Sequence, residues 1–199
     1  MLKKLVLLAV LALALPLAAF ASSSIDFSNN GGTLSGSASG LSLAGSTLIG
    51  VKGLNGGGLI TGNNLGSVSF STGALASGSL TTGGTFAAGG SFTITGNGTN
   101  GIPNGVIFSG TFTSPVTWNL TTEANGDHIY MLSGAIAGNG TVGATVQLTV
   151  PTGKGYFNGS VGISSGDTSL SVPEPGTLSL LGTGLIGLAG VIRRKLSLS

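Results

Sequence analysis

The chain has no cysteine and a single histidine, and only 6% of its 199 residues are charged. Without cysteine there is no disulfide framework, no thiolate nucleophile and no Cys-ligated metal. One imidazole, His128, does not make a His-rich metal site. Charged residues make up roughly 25% of an ordinary soluble protein. Solubility must here come from hydroxyls, amides and exposed backbone, or from attached sugar. The few charges are also unevenly placed. Lys3, Lys4, Arg193, Arg194 and Lys195 are five of the seven cations, and they sit at the two ends. Residues 22–172 keep Lys52 and Lys154 against Asp26, Glu123, Asp127 and Asp167, a net charge of −2. The whole-chain isoelectric point of 9.2 therefore describes the ends and not the middle. With no basic patch and no polybasic stripe, nucleic acid is not expected as a partner.

A sustained helical period is also missing between residues 25 and 170. What fills this region is glycine, 38 residues in all, with serine, threonine and short alternating apolar runs. Ser67-Val68-Ser69-Phe70, Ser91-Phe92-Thr93-Ile94-Thr95 and Thr145-Val146-Gln147-Leu148-Thr149-Val150 alternate with period two, as half-buried antiparallel strands do. Gly-Asn, Asn-Gly and Gly-Gly pairs punctuate them at hairpin spacing. The expected fold is all-β, an antiparallel β-sandwich of short Gly/Ser/Thr-rich strands. A β-solenoid is the alternative, although no repeat of fixed length is visible. Residues 31–90 have few aromatics, so a weak core and poorly specified register are expected there, with disorder as a further alternative. Residues 91–170 give sharper signals, with strands expected at 106–113, 115–122, 128–136, 144–150 and 155–163. Residues 166–172 read as a linker.

Several motifs resemble chemistry without its context. Gly162-Ile163-Ser164-Ser165-Gly166 fits G-x-S-x-G, but a nucleophile elbow needs a following helix and a downstream histidine, and His128 lies upstream. Asp127 and His128 are adjacent, yet neighbours on a strand point to opposite faces. Glu123, Asn125 and Asp127 alternate as Ca²⁺ ligands can, with no EF-hand or nonapeptide pattern around them. Gly182-Thr183-Gly184-Leu185-Ile186-Gly187 fits G-x-G-x-x-G but follows no strand. Asn97, Asn119, Asn139 and Asn158 begin N-x-[ST] sequons; Asn119 is expected in a strand and the others in turns. No catalytic residue, metal site or cofactor is expected.

The ends are more explicit. Lys3 and Lys4 precede an apolar segment at 5–15, and Ala19-Phe20-Ala21 is a small-x-small site. Together they predict a signal peptide over residues 1–21, cut after Ala21 by signal peptidase. At the other end, Val172-Pro173-Glu174-Pro175-Gly176 is followed by an uncharged apolar run at 177–192 and then by Arg193-Arg194-Lys195. Proline fixes φ and extends the residue before it, so Pro173 to Pro175 should hold Glu174 out on a stiff handle. The apolar run is at the short limit for a transmembrane helix. The three cations act as a membrane stop and favour the cytoplasmic side. Residues 22–170 are then the exported domain and 171–199 the terminal signal.

Residues 172–195 resemble the C-terminal sorting signal of PEP-CTERM proteins, which exosortases process in Gram-negative bacteria. The resemblance implies export, a transient anchor in the inner membrane, and release or transfer to the cell surface or beyond. The exosortase, a membrane enzyme similar to a sortase, would recognise Pro173, Glu174 and Pro175. The resemblance covers the sorting signal and not the mature fold. The leading expectation is a non-enzymatic structural protein of the surface, matrix or biofilm, with exopolysaccharide as a further partner. A surface glycan-binding module is an alternative, with Trp118 and Tyr130, Tyr156 or Phe157 as its platform; it requires Trp118 to be exposed. A hydrolase is the third reading, and it requires two of Glu123, Asp127, His128 and Asp167 to converge.

Overall fold

The computed structural model describes residues 22–139, 141 and 143–173. The signal-peptide residues Ala19 and Ala21, the apolar run at 177–192 and the basic cluster Arg193 to Lys195 lie outside them. Thirteen strands follow one another: β1 (Ser22–Asn30), β2 (Thr33–Ser37), β3 (Gly40–Lys52), β4 (Leu59–Ser71), β5 (Leu75–Ser79), β6 (Gly83–Phe86), β7 (Gly89–Asn97), β8 (Asn104–Phe112), β9 (Val116–Thr122), β10 (His128–Gly138), β11 (Gly143–Gly153), β12 (Ser160–Gly162) and β13 (Ser165–Pro173). The only helical piece among the described residues is a 3-10 turn at Leu54–Gly56. The all-β expectation holds, and period-two alternation is the reason. In β10 the residues His128, Tyr130, Leu132, Gly134 and Ile136 face inward, with exposed or half-buried residues between them.

The strands form one sheet, in the order β11-β13-β1-β3-β4-β7-β8-β10-β9-β6-β5. In addition β10 pairs with β11 from His128↔Gly153 to Ile136↔Ala144. The path therefore returns to its start, and β11, β13, β1, β3, β4, β7, β8 and β10 make a closed circuit. β9, β6 and β5 branch from β10, while β2 and β12 branch from β3. All the registers are antiparallel, whereas the coils of a parallel β-helix stack in parallel.

β10 changes partner along its length. Its first half pairs with β9, from His128↔Thr122 to Ser133↔Thr117. Its end pairs with β8, from Ile136↔Phe112 to Gly138↔Gly110. At that junction a Cβ on Gly110 would collide with the Ala137 carbonyl, and one on Gly138 with the Ser109 carbonyl. Two facing glycines let the strands come close enough to complete the circuit.

Inside lies one hydrophobic core. Phe70, Phe92, Phe108 and Phe112 form one aromatic group, with Phe70 and Phe112 edge to face at 5.8 Å. Trp118, Tyr130 and Phe157 form another, with Trp118 stacked on Tyr130 at 4.7 Å and 14°.

Three expectations are corrected. Residues 31–90 are ordered strand for most of their length and contribute Leu34, Leu41, Leu43, Leu48, Val51, Leu65, Val68, Phe70 and Phe86 to the core. Their register is pinned by backbone and not by side-chain size. At Gly66 (φ 150°) a Cβ would overlap the Thr95 carbonyl, so only glycine fits where β4 meets β7. Most of 155–163 is not strand: only Ser160–Gly162 pairs, with β2, while Phe157 tucks into the core and Tyr156 stays exposed. Residues 166–172 are not a linker either. They are the body of β13, with Thr168 and Leu170 buried.

Candidate functional site

The proposed glycan platform is dismantled by burial. Trp118 and Tyr130 are 0% exposed and Phe157 1%. Trp118 Nε1 donates to the Leu80 carbonyl at 2.9 Å. The Tyr130 hydroxyl donates to the Thr81 carbonyl and accepts from the Phe157 amide at 3.2 Å. Both rings are therefore internal braces that tie the β5–β6 turn to β9 and β10, as buried aromatic N–H and O–H groups require. Tyr156 alone of the four is exposed, and its ring stacks on His128 at 4.3 Å.

His128 and Asp127 diverge, as the strand geometry predicts. His128 faces inward and its Nδ1 lies 3.0 Å from the Thr122 hydroxyl. Asp127 is held in its own turn. Its Oδ2 accepts from Asn125 Nδ2 at 2.8 Å and its amide donates to Asn125 Oδ1 at 2.9 Å, while the Glu123 amide donates to the Asp127 carbonyl. These bonds account for the Glu123-Asn125-Asp127 spacing as a hairpin device. No group of three or more His, Asp or Glu among the described residues is placed to hold a metal ion. Ser164, at the centre of the G-x-S-x-G string, sits between β12 and β13, where its hydroxyl donates to the Thr149 carbonyl at 3.3 Å. The following residues are strand, so the strand-to-helix elbow is not formed.

One pairing was invisible in the sequence. β1 and β13 are neighbours, and this brings Asp26 and Asp167 to one shallow cavity of about 320 Å³, which Thr145, Gln147 and Ser169 also line. The carboxylates are clasped crosswise. Ser28 Oγ donates to Asp167 Oδ1 at 2.8 Å, and Ser169 Oγ donates to Asp26 Oδ1 at 2.7 Å. Residues 141 positions apart carry no local signal of such a contact.

Around this clasp the outer face is a field of hydroxyls. Thr85, Thr117, Ser133, Gln147 and Asp167 lie opposite one another across β6, β9, β10, β11 and β13. Ser69, Thr93 and Ser109 cross β4, β7 and β8 in the same way, and Ser71 meets Ser91 with hydroxyls 3.0 Å apart.

Of the sorting residues, Pro173 is described, and it is the last residue of β13. Glu174 and Pro175 lie just outside the described residues. No curated protein and no solved structure matches the chain. Residues 171–195 match the family model of the PEP-CTERM protein-sorting motif. The chain thus ends in a PEP-CTERM sorting motif, the mark of an exported bacterial protein that an exosortase sorts to the cell surface after transient membrane anchoring.

Proposed function

We propose that the domain is a non-catalytic structural component of the cell surface or extracellular matrix of a Gram-negative bacterium. It is freed from its signal peptide by signal peptidase after Ala21 and held by a membrane helix at 177–192 until an exosortase acts. Within that reading the two walls of the closed sheet pack across the core as a sandwich, and exopolysaccharide is the surrounding polymer. The observation that carries the reading is the outer face. Its ladder rows are serine and threonine with almost no charge, while Trp118, Tyr130 and Phe157 are in the core and leave Tyr156 alone among the candidate sugar-stacking rings. A transmembrane barrel has the opposite polarity, with its apolar band outward. Rows of neutral hydroxyls suit a hydrated, polyhydroxylated environment without a defined ligand pocket. Asp127 is bound by Asn125 within its own turn and Asp167 by Ser28 across the β1–β13 seam, which supports a non-catalytic reading.

Intact-mass measurement of the protein from its native host, with and without the exosortase, tests the sorting. The processed form should begin at Ser22 and lack residues 177–192 only when the enzyme is present. Retention of that segment in both strains sinks the proposal. Fractionation of the same cultures tests the location: the mature form belongs with the cell surface or the matrix polymer, and recovery in the periplasm alone contradicts it.

A further inference from the structure

The strand that delivers the sorting motif is also the strand that closes the sheet. β13 pairs with β11 from Gly143↔Ser171 to Thr149↔Ser165 and with β1 on its other side. The register against β1 follows from three contacts. Ser28 binds Asp167, Asp26 binds Ser169, and a Cβ on Gly166 would meet the Asn29 side-chain amide. Both strands are nine residues long. The same register places Ser24 opposite Ser171 and takes the first residue of β1, Ser22, to the last of β13, Pro173. The first and last strands of the chain therefore lie side by side and end together.

We propose that the folded domain latches its own sorting handle, and that the exosortase acts on a chain whose β13 end has peeled from β1 and β11. This rests on the sorting function proposed above. A processing enzyme takes its substrate as an extended segment whose backbone groups are free to pair. Here the residues before the motif, up to Ser171, have their backbone committed to a ladder with β11, and β1 lies on the other side of β13. Three residues separate Pro173 from Thr177, four steps of the chain and at most about 14 Å when extended. Little room is left for an enzyme between the sheet and the apolar segment.

The extent of peeling is set by the side chains. Ser171 and Val172 are half-buried, and the first fully buried anchor met from this end is Leu170, at 3% exposure. The Ser169–Asp26 clasp sits one residue further in. Opening Ser171–Pro173 breaks a few ladder bonds and exposes no core, as expected of fraying strand ends. Opening beyond Leu170 unseats the core. The handle lengthens by these three residues, and the Leu170 anchor keeps the rest of the circuit closed.

Because the chain has no cysteine, a single cross-link reports on this step. Ser24→Cys with Ser171→Cys places two thiols on directly opposed residues, within the reach of a disulfide, in an oxidising compartment. Cleavage of a transiently opened form tracks its population, so the cross-linked protein should be processed about tenfold more slowly or less, with each single-cysteine protein unaffected. A second variant inserts six Gly/Ser residues between Val172 and Pro173. It should be processed faster than the natural chain, and the cross-link should no longer slow it. Equal processing of linked and unlinked proteins, or no acceleration by the inserted linker, overturns the latch. The natural chain is the control for the underlying reading: if its mass is the same with and without exosortase, the sorting function itself fails and the latch with it.

Discussion

Replacing Trp118 by alanine removes a core side chain anchored both by stacking and by a hydrogen bond. The indole is fully buried, stacked on Tyr130 at 4.7 Å, edge-on to Phe157 at 5.4 Å, and hydrogen-bonded to the Leu80 carbonyl. Truncating a buried aromatic to alanine costs about 3–5 kcal/mol. The aromatic pair contributes about 0.5–1.5 kcal/mol beyond its area, and orphaning the Leu80 carbonyl about 1–3 kcal/mol where water cannot reach it. These terms overlap, so a total near 4 kcal/mol is expected against a stability of roughly 5–15 kcal/mol for a folded domain. Trp118→Phe keeps most of the packing but loses the indole N–H, and should cost about 1–2 kcal/mol. Because Trp118 is the only tryptophan, its fluorescence follows urea unfolding of the natural protein without a label, and circular dichroism does so for both variants. The native emission should be blue-shifted, resistant to a soluble quencher and unchanged by added matrix polysaccharide. Loss of less than about 1 kcal/mol in Trp118→Ala, where a buried aromatic predicts 3–5, would refute the bracing role. A polysaccharide-induced emission shift would return Trp118 to a binding surface.

Thr168 is 1% exposed and its hydroxyl has no partner among the described residues, so Thr168→Val should stabilise the domain by about 1 kcal/mol in a denaturant titration. Gly66→Ala meets the Thr95 carbonyl at a positive φ and should destabilise by more than about 1 kcal/mol, with loss of amide-exchange protection concentrated at the β4–β7 ladder. Glu174→Ala removes the carboxylate of the motif beyond the end of β13; it should leave the urea midpoint of the domain unchanged while the full-length mass accumulates in the native host.

The strands were legible where the sequence alternated β-branched or aromatic residues with small polar ones. Val116 to Thr122 and the core of β10 fall where the period places them because neither needs information from afar. Residues 31–90 carry few large side chains, so side-chain size does not reveal their register. Gly66 and the Gly110–Gly138 pair specify register through backbone proximity, and a glycine in a string gives no sign of which carbonyl it approaches. Residues 166–172 looked like a linker because Gly166, Ser169 and Ser171 are small. Yet Thr168 and Leu170 alternate with outward Asp167 and Ser169, a strand pattern obscured by the nearby motif. The sorting signal was readable because its three parts are contiguous. The Asp26–Asp167 clasp was not, since only the pairing of the first and last strands creates it.

That pairing also explains how a chain so poor in charge uses the few it has. Asp26 and Asp167 are two of the four carboxylates between residues 22 and 172, and both are spent on the seam between the chain's two ends. The hydrogen bond of a serine to a carboxylate is charge-assisted, stronger than a bond between neutral partners, and at a half-exposed surface it is still weak enough to open. A seam made of hydrophobic side chains would hold β13 more firmly but would resist the enzyme that must reach Pro173. A seam with no specific contact would let β1 and β11 stand as open edges, which invite pairing with other chains. Two crossed Ser–Asp bonds lie between these limits. They register the closing strand and cover both edges, and they leave the last three residues of β13 outside the clasp.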